Sequence, residues 1–245
     1  MTFVDRTYRS FIATERFVPF RVSWKETDLY IKARANLSEK AETAVHFHRG
    51  QIEAYIRKKP LFKTSLEPLE SDRDAAPIIQ DMLQAAQSAG VGPMAAVAGA
   101  IAEYVGRELL PLSPEVIIEN GGDIFRVLET PVVVGLFAGD SPYTNRLGVR
   151  ILAEHTPCGV CTSSGTVGPS LSFGKADAAC VWAASTALAD AAATAIGNLV
   201  KQPEDIDYAL EKGKEITGIM GVIIVAQNRI GIWGPMELVK LGSEE

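Results

Sequence analysis

Cysteine and basic residues are scarce in this chain of 245 residues, and each scarcity excludes a class of protein. Three cysteines cannot form the disulfide framework of a small secreted domain. The 24 Lys and Arg residues are outnumbered by 30 Asp and Glu residues, and the net charge of −6 argues against general nucleic-acid binding. Hydrophobic residues make up 47% of the chain, enough for a globular protein with a real core.

Long apolar runs and targeting signals are also missing. No run of about 18 uncharged apolar residues occurs, so we expect no membrane-spanning segment. Residues 178–200 come nearest to one, but Asp190 and the many alanines favour a buried helix there. Residues 1–9 contain no apolar core of a signal peptide. We therefore expect a cytoplasmic protein without a membrane partner.

The first half of the chain begins with strands and continues with helices. Apolar and polar residues alternate within residues 7–35, which predicts an antiparallel hairpin with its turn near residues 25–27. Ser38 is a good N-cap for a helix that runs to about Lys59. A second helical region over about residues 75–110 is interrupted by a Gly-Val-Gly-Pro segment.

The second half consists mainly of strands. Five short strands are predicted between residues 115 and 162, followed by an Ala-rich helix over residues 185–197. Pro203 opens a short amphipathic helix, and the tail is expected to form a closing hairpin around Asn228. The order indicates an α+β protein in which the whole chain is one domain, with two similar halves divided near residues 110–115.

Three motifs are candidates for a binding site. The Asn-Gly-Gly-Asp segment at residues 120–123 makes either a tight turn or a backbone surface for a ligand. The Thr-Ser-Ser-Gly segment at residues 162–165 offers hydroxyl groups after a strand. Asp190 and Thr194 are four residues apart on one helix face, where their oxygens suit Mg²⁺. The alternative is that Asp190 is an exposed helix residue and Thr194 a packing residue.

The order of these motifs resembles the ApbE family of FAD:protein FMN transferases. A Gly-rich helix entry, the Gly-Gly-Asp turn, the Ser-Ser-Gly loop and an Ala-Asp-x-x-x-Thr helix start follow one another over about residues 88–200. The size and the surrounding sequence look more like the UPF0280 group of ApbE-like proteins. This resemblance implies a duplicated T-fold, with helices packed on antiparallel sheets.

The resemblance also implies ligands and residue roles. It implies FAD or FMN as the bound nucleotide, Mg²⁺ as the metal and an acceptor protein for transfer, and it is compatible with an oligomer. The residues that would line the flavin site are Asn120, Gly121, Gly122, Asp123, Ser163, Ser164 and Gly165. Asp190 and Thr194 match the family's Mg²⁺ ligands. The family's His-containing segment is replaced by residues 168–177, which contain no His, so transfer is an extension of the expected binding.

Two further functions stay open. Cys158 and Cys161 form a C-x-x-C motif, with Cys180 further along the chain, and such thiols can carry persulfide sulfur in sulfur assimilation or act in redox chemistry. A zinc site would need His155 and a fourth ligand as well. The competing interpretation is that these cysteines are buried packing residues. A non-catalytic assembly factor is the remaining alternative.

Overall fold

The computed structural model describes residues 16–135, 138–139, 141–144, 146–165 and 173–241. Its strands are β1 (Val18–Trp24), β2 (Thr27–Ala33), β3 (Val116–Asn120), β4 (Asp123–Val127), β5 (Val132–Gly135), β6 (Leu147–Ile151), β7 (Cys158–Ser163), β8 (Ala178–Ala183), β9 (Ile219–Ala226), β10 (Arg229–Trp233) and β11 (Glu237–Lys240). Its helices are α1 (Ser38–Lys58), α2 (Leu61–Thr64), α3 (Pro77–Ala89), α4 (Val97–Leu109), α5 (Thr186–Leu199) and α6 (Ile206–Glu215).

The strands form two antiparallel sheets. The larger sheet has eight strands in the order β1-β2-β3-β4-β7-β8-β9-β10, and the smaller has the order β11-β6-β5. Helices α1 and α4 pack on β1, β3 and β4, while α5 and α6 pack on β7 to β10. The smaller sheet covers the opposite face of the larger one. The predicted α+β architecture of helices on antiparallel sheets is confirmed.

The N-terminal hairpin and the first long helix lie where the sequence predicts them. β1 and β2 pair antiparallel, with Trp24 opposite Thr27 across the turn. Residues 7–15 of the predicted hairpin region lie outside the described residues. The prediction that Ser38 caps α1 is wrong, because Ser38 is already helical and its N–H donates to Asn36 Oδ1 at 3.0 Å. The short Asn side chain thus satisfies a free N–H at the helix start.

Two segments of the second half differ from expectation. Residues 178–183 form strand β8 rather than part of a buried helix, and all six residues are buried. Helix α5 covers one face of β8 and the smaller sheet covers the other, so its sequence shows no alternation. The closing hairpin of β9 and β10 is confirmed. The tail after residue 233 instead leaves this hairpin, and β11 pairs with β6.

No single helix of the described residues is long and apolar enough to cross a membrane. Among those same residues, one pair of helices, Pro77–Ala89 and Pro93–Leu109, reaches the required length and composition together, and this pair is bent by 108°. The division of the chain into two similar halves near residues 110–115 stays a prediction.

Candidate functional site

The Asn-Gly-Gly-Asp segment forms the turn between β3 and β4. Gly121 and Gly122 have φ angles of 72° and 113°, a region that favours glycine because it has no Cβ. The Gly122 N–H donates to Glu119 Oε1 at 3.1 Å. The predicted turn is confirmed, and it places Asn120 and Asp123 opposite one another at the ends of their strands.

Asp123 lies in the interior, on the helix-covered face of the larger sheet. It pairs in register with Cys161 on β7, and its carboxylate lies near enough to that of Asp190 on α5 for the two charges to repel. Burial and the charge of Asp190 raise the pKa of Asp123 well above its ordinary value, although the Cys161 thiol and the Thr162 N–H stabilise the ionised form. The turn therefore positions the Asp123 carboxylate close to helix α5.

Asp190 is also buried, with 9% of the residue exposed. Its Oδ2 accepts the Gly99 N–H at 2.8 Å, and the Ala98 N–H also stabilises the carboxylate. Burial nevertheless raises the pKa of Asp190 to about 7. The alternative of an exposed helix residue is therefore wrong, because α4 packs across this face of α5.

Helices α4 and α5 each supply a carboxylate that accepts a backbone N–H near the N-terminus of the other helix. Asp190 of α5 binds the first turn of α4, and Glu103 of α4 accepts the Thr186 N–H of α5 at 2.7 Å. Each acid therefore satisfies a free N–H near the positive end of the other helix dipole. The helices approach closely at Gly99, where a Cβ would lie 2.4 Å from Thr186 O. No sequence motif points to Glu103, whose one signal is that it is an acid within a helix of small and apolar residues.

The Asn-Gly-Gly-Asp turn also contacts the start of α4. Asn120 Nδ2 donates to Ala98 O at 3.0 Å. The same short segment of backbone, residues 98–99, therefore accepts from Asn120 and donates to Asp190. The structure thus brings the turn, the entry of α4 and the Ala-rich helix α5 together at one point.

The Ser-rich segment lies further along α5. Ser163 ends β7 beside Gly197, where a Cβ would be 3.8 Å from the Ser163 Oγ. Thr194 is half-buried and lies between Asp190 and Gly197 along the helix. The predicted residues therefore follow β7 and α5 in order, from the acidic pair to the serine.

Gly165, which follows β7, packs against residues 174–176. Its N–H donates to Ala176 O at 2.9 Å, and a Cβ at Gly165 would lie 2.2 Å from Gly174 O. Gly174 in turn approaches Gly197 so closely that a Cβ would meet the Gly197 carbonyl oxygen at 1.8 Å. Residues 166–172, which include half of the segment without His, lie outside the described residues.

The oxygen atoms of Asp123 and Asp190 suit a hard cation such as Mg²⁺. Neither carboxylate forms an ion pair with Lys or Arg in the part of the chain that the structure describes, so a cation would balance two buried, mutually repelling acids. The described residues hold no group of three or more His, Cys, Asp or Glu side chains arranged for a metal. Water or phosphate oxygens would have to complete the coordination, as is usual for Mg²⁺.

The three cysteines are buried, with Cys158 and Cys180 between the two sheets and Cys161 on the helix-covered face of the larger sheet. Cys158 packs between the two sheets, whereas Cys161 faces α5, since residues three apart on a strand point to opposite faces. Burial raises the pKa of each thiol, to about 11 for Cys180. The C-x-x-C motif therefore does not form a dithiol centre in this structure, and the three cysteines lie buried in the core as the competing interpretation expects.

Sequence comparisons identify a family and close relatives. The family model described as AbpE bacteria matches residues 9–232. A UPF0280 protein of Methanocaldococcus jannaschii is 44% identical over 227 residues, covering 90% of this chain and 92% of the relative. A UPF0280 protein of Methanosarcina barkeri is 41% identical over 219 residues, covering 88% of this chain and 86% of the relative.

Solved structures with the same fold are more distant in sequence. The flavinyl transferase ApbE of Pseudomonas stutzeri, in its apo form, superposes with a TM-score of 0.53 at 13% identity and covers 89% of this chain and 94% of its own. The ApbE protein of Thermotoga maritima gives a TM-score of 0.56 at 12% identity, covering 88% and 96%. At these identities the likeness shows the fold, and it confirms the predicted ApbE-like architecture.

Proposed function

Because the chain belongs to the family described as AbpE bacteria, in the UPF0280 group of ApbE-like proteins, we propose that it binds a flavin nucleotide and acts in flavin transfer. The Pseudomonas stutzeri protein that shares its fold is named a flavinyl transferase. The proposed ligand is FAD or FMN, and the proposed second substrate is an acceptor protein. A cytoplasmic location belongs to the same proposal.

The observation that carries this proposal is the meeting of the Gly-Gly-Asp turn with α4 and α5. Asp123 and Asp190 are both buried there and repel one another when ionised, which destabilises the folded protein unless a ligand offsets the repulsion. Buried acids with strongly raised pKa values cluster at functional sites. A ligand that brings a cation to this pair removes the repulsion.

Mg²⁺ fits this donor set. Asp123 and Asp190 would hold the ion, Thr194 one turn further along α5 would offer a hydroxyl, and the bound ion would neutralise phosphate charge. Asp190 keeps one oxygen on the Gly99 N–H, which orients the carboxylate.

The remaining predicted residues would bind the organic part of the ligand. Gly121 and Gly122 place backbone without side chains at the turn, which allows a ring or phosphate to approach closely. Ser163 and Ser164 offer hydroxyl donors at the end of β7, near the C-terminal half of α5. These residues would align a nucleotide along the contact between β7 and α5.

Flavin titration with matched variants tests the binding proposal. We expect FAD or FMN fluorescence to change on binding only when Mg²⁺ is present, and Asp190→Asn to abolish the Mg²⁺ dependence because the amide keeps the Gly99 bond but loses the charge. Asp207→Asn, on the exposed first turn of α6, is the control and should bind as the wild type does. Absence of binding for both flavins at high micromolar concentration with Mg²⁺ would refute the proposal.

Transfer is tested separately from binding. Cleavage of the FAD pyrophosphate during transfer releases AMP, which can be measured by mass spectrometry. Binding with AMP release and a flavin-labelled protein supports a transferase. Binding without AMP release favours the non-catalytic assembly factor on the same scaffold. The persulfide alternative receives no support from the buried, separated thiols.

A further inference from the structure

Arg126 is a buried cation on the side of the larger sheet that faces the smaller one. Only 1% of the residue is exposed. Its Nε donates to Cys158 Sγ at 3.1 Å and its Nη2 donates to Leu152 O at 3.1 Å. Its Nη1 has no hydrogen-bond partner. One donor of a permanently charged group is therefore left unsatisfied in the core.

Trp182 contributes a second unsatisfied donor to the same place. It is 2% exposed, and its Nε1 has no hydrogen-bond partner of normal geometry. The Arg126 guanidinium and the Trp182 indole both favour the ionised form of the Cys158 thiol, so both lie beside this one sulfur atom. The His155 ring packs edge-on against Trp182, with the ring centroids 4.8 Å apart.

The charge of Arg126 is not balanced in the part of the chain that the structure describes. No Asp or Glu there forms an ion pair with it, whereas the buried Glu115 is paired with both Arg16 and Arg34. Burial raises the pKa of Cys158, so its thiol stays neutral and supplies no negative charge. A buried guanidinium without a counter-charge is strongly unfavourable.

The two unsatisfied donors, Arg126 Nη1 and Trp182 Nε1, indicate what kind of molecule would bind beside them. Arg126 Nη1 and Trp182 Nε1 only donate, so both need an acceptor. A water molecule would accept from both, but it would bring two hydrogens of its own and would leave the charge unbalanced. An anion accepts from both and balances the charge. Because Arg126, Cys158 and Trp182 are at most 2% exposed, a large organic anion has no access.

We propose that a small monovalent inorganic anion, of about the size of chloride, binds between the Arg126 Nη1 and the Trp182 Nε1 beside Cys158. The anion joins β4 and β8 of the larger sheet beneath the smaller sheet. It is separate from the acidic pair, which lies on the opposite, helix-covered face.

Unfolding equilibria in different salts test this site. Urea unfolding of the full chain is compared in chloride and in gluconate at constant ionic strength, since gluconate is too large for the site. Mass action predicts that the folded-to-unfolded ratio rises as one plus the ratio of chloride concentration to its Kd, and therefore roughly tenfold per tenfold of chloride above the Kd. Trp182→Phe keeps the ring but removes the donor, so it should weaken the dependence. Trp233→Phe, on strand β10, is the control.

Wild-type protein provides a second measurement if the variant does not fold. Crystals grown in bromide should show an anomalous peak between Arg126 and Trp182. Equal stability in chloride and gluconate, together with no such peak, would overturn the proposal.

One further outcome would overturn it and name another counter-charge. A thiolate absorbance near 240 nm at neutral pH that disappears in Cys158→Ser would assign it to the sulfur.

Discussion

Replacing Asp190 by Asn or Ala separates its charge from its hydrogen bonds. The Asn amide oxygen can still accept the Gly99 N–H, whereas Ala leaves that buried N–H without a partner. An unsatisfied buried donor costs about 1–3 kcal/mol. We therefore expect Asp190→Ala to lower the free energy of unfolding by about that amount, and Asp190→Asn to lower it much less at neutral pH.

The raised pKa of Asp190 predicts how the stability of the wild type and of Asp190→Asn should differ with pH. The pKa of Asp190 is about 7 in the folded protein, against about 3.9 in an unfolded chain. Between these two pKa values the folded state keeps a proton on Asp190 that the unfolded state has released. The protonated carboxyl therefore contributes fully to the free energy of unfolding below about pH 4, and this contribution is lost as the pH rises through about 7. At about 1.4 kcal/mol per pH unit, the wild type should lose roughly 2 kcal/mol relative to Asp190→Asn between about pH 5 and about pH 7.

Urea unfolding followed by circular dichroism, in buffers without Mg²⁺, measures this difference. Wild type and Asp190→Asn are compared at several values across that range, with Asp207→Asn as a control whose curve should parallel the wild type. A wild-type curve that stays parallel to that of Asp190→Asn would refute the reasoning. It would mean that the Asp190 carboxyl is already ionised in the folded protein across this range.

Three other predictions concern the same region and the core. Asp123→Asn removes a carboxyl group that could ionise on binding the cation, and we expect it to weaken Mg²⁺-dependent FAD binding by about tenfold or more, measured by flavin fluorescence. Gly99→Ala puts a Cβ 2.4 Å from a carbonyl oxygen of α5 and should lower the free energy of unfolding by about 1–3 kcal/mol in urea. Gly50→Ala, where a Cβ meets nothing within 4 Å, is its control and should stabilise α1 by up to about 1 kcal/mol; equal effects of the two changes would contradict the close helix contact. The three buried cysteines should resist iodoacetamide in the native protein and react after unfolding, and rapid native labelling near neutral pH would revive the thiol alternative.

Local sequence determined the elements whose signals are short in range. Alternation predicted the hairpin of β1 and β2, and the two glycines at residues 121–122 predicted the β3–β4 turn, because both depend on neighbouring residues alone. The small residues of α5 predicted a surface for close approach, which α4 occupies. The order of four weak motifs was enough to indicate the family and the fold.

Tertiary structure decided what depends on contacts between distant residues. β8 has no alternation because different layers cover its two faces, and no local pattern reports a covering layer. Asp190 resembles an exposed helix residue until α4 is packed across it, and Glu103 gains its role only from the N-terminus of another helix. The unbalanced charge of Arg126 likewise exists only once the two sheets enclose it. Burial and charge pairing depend on how the helices and the two sheets pack together, so local sequence patterns do not predict them.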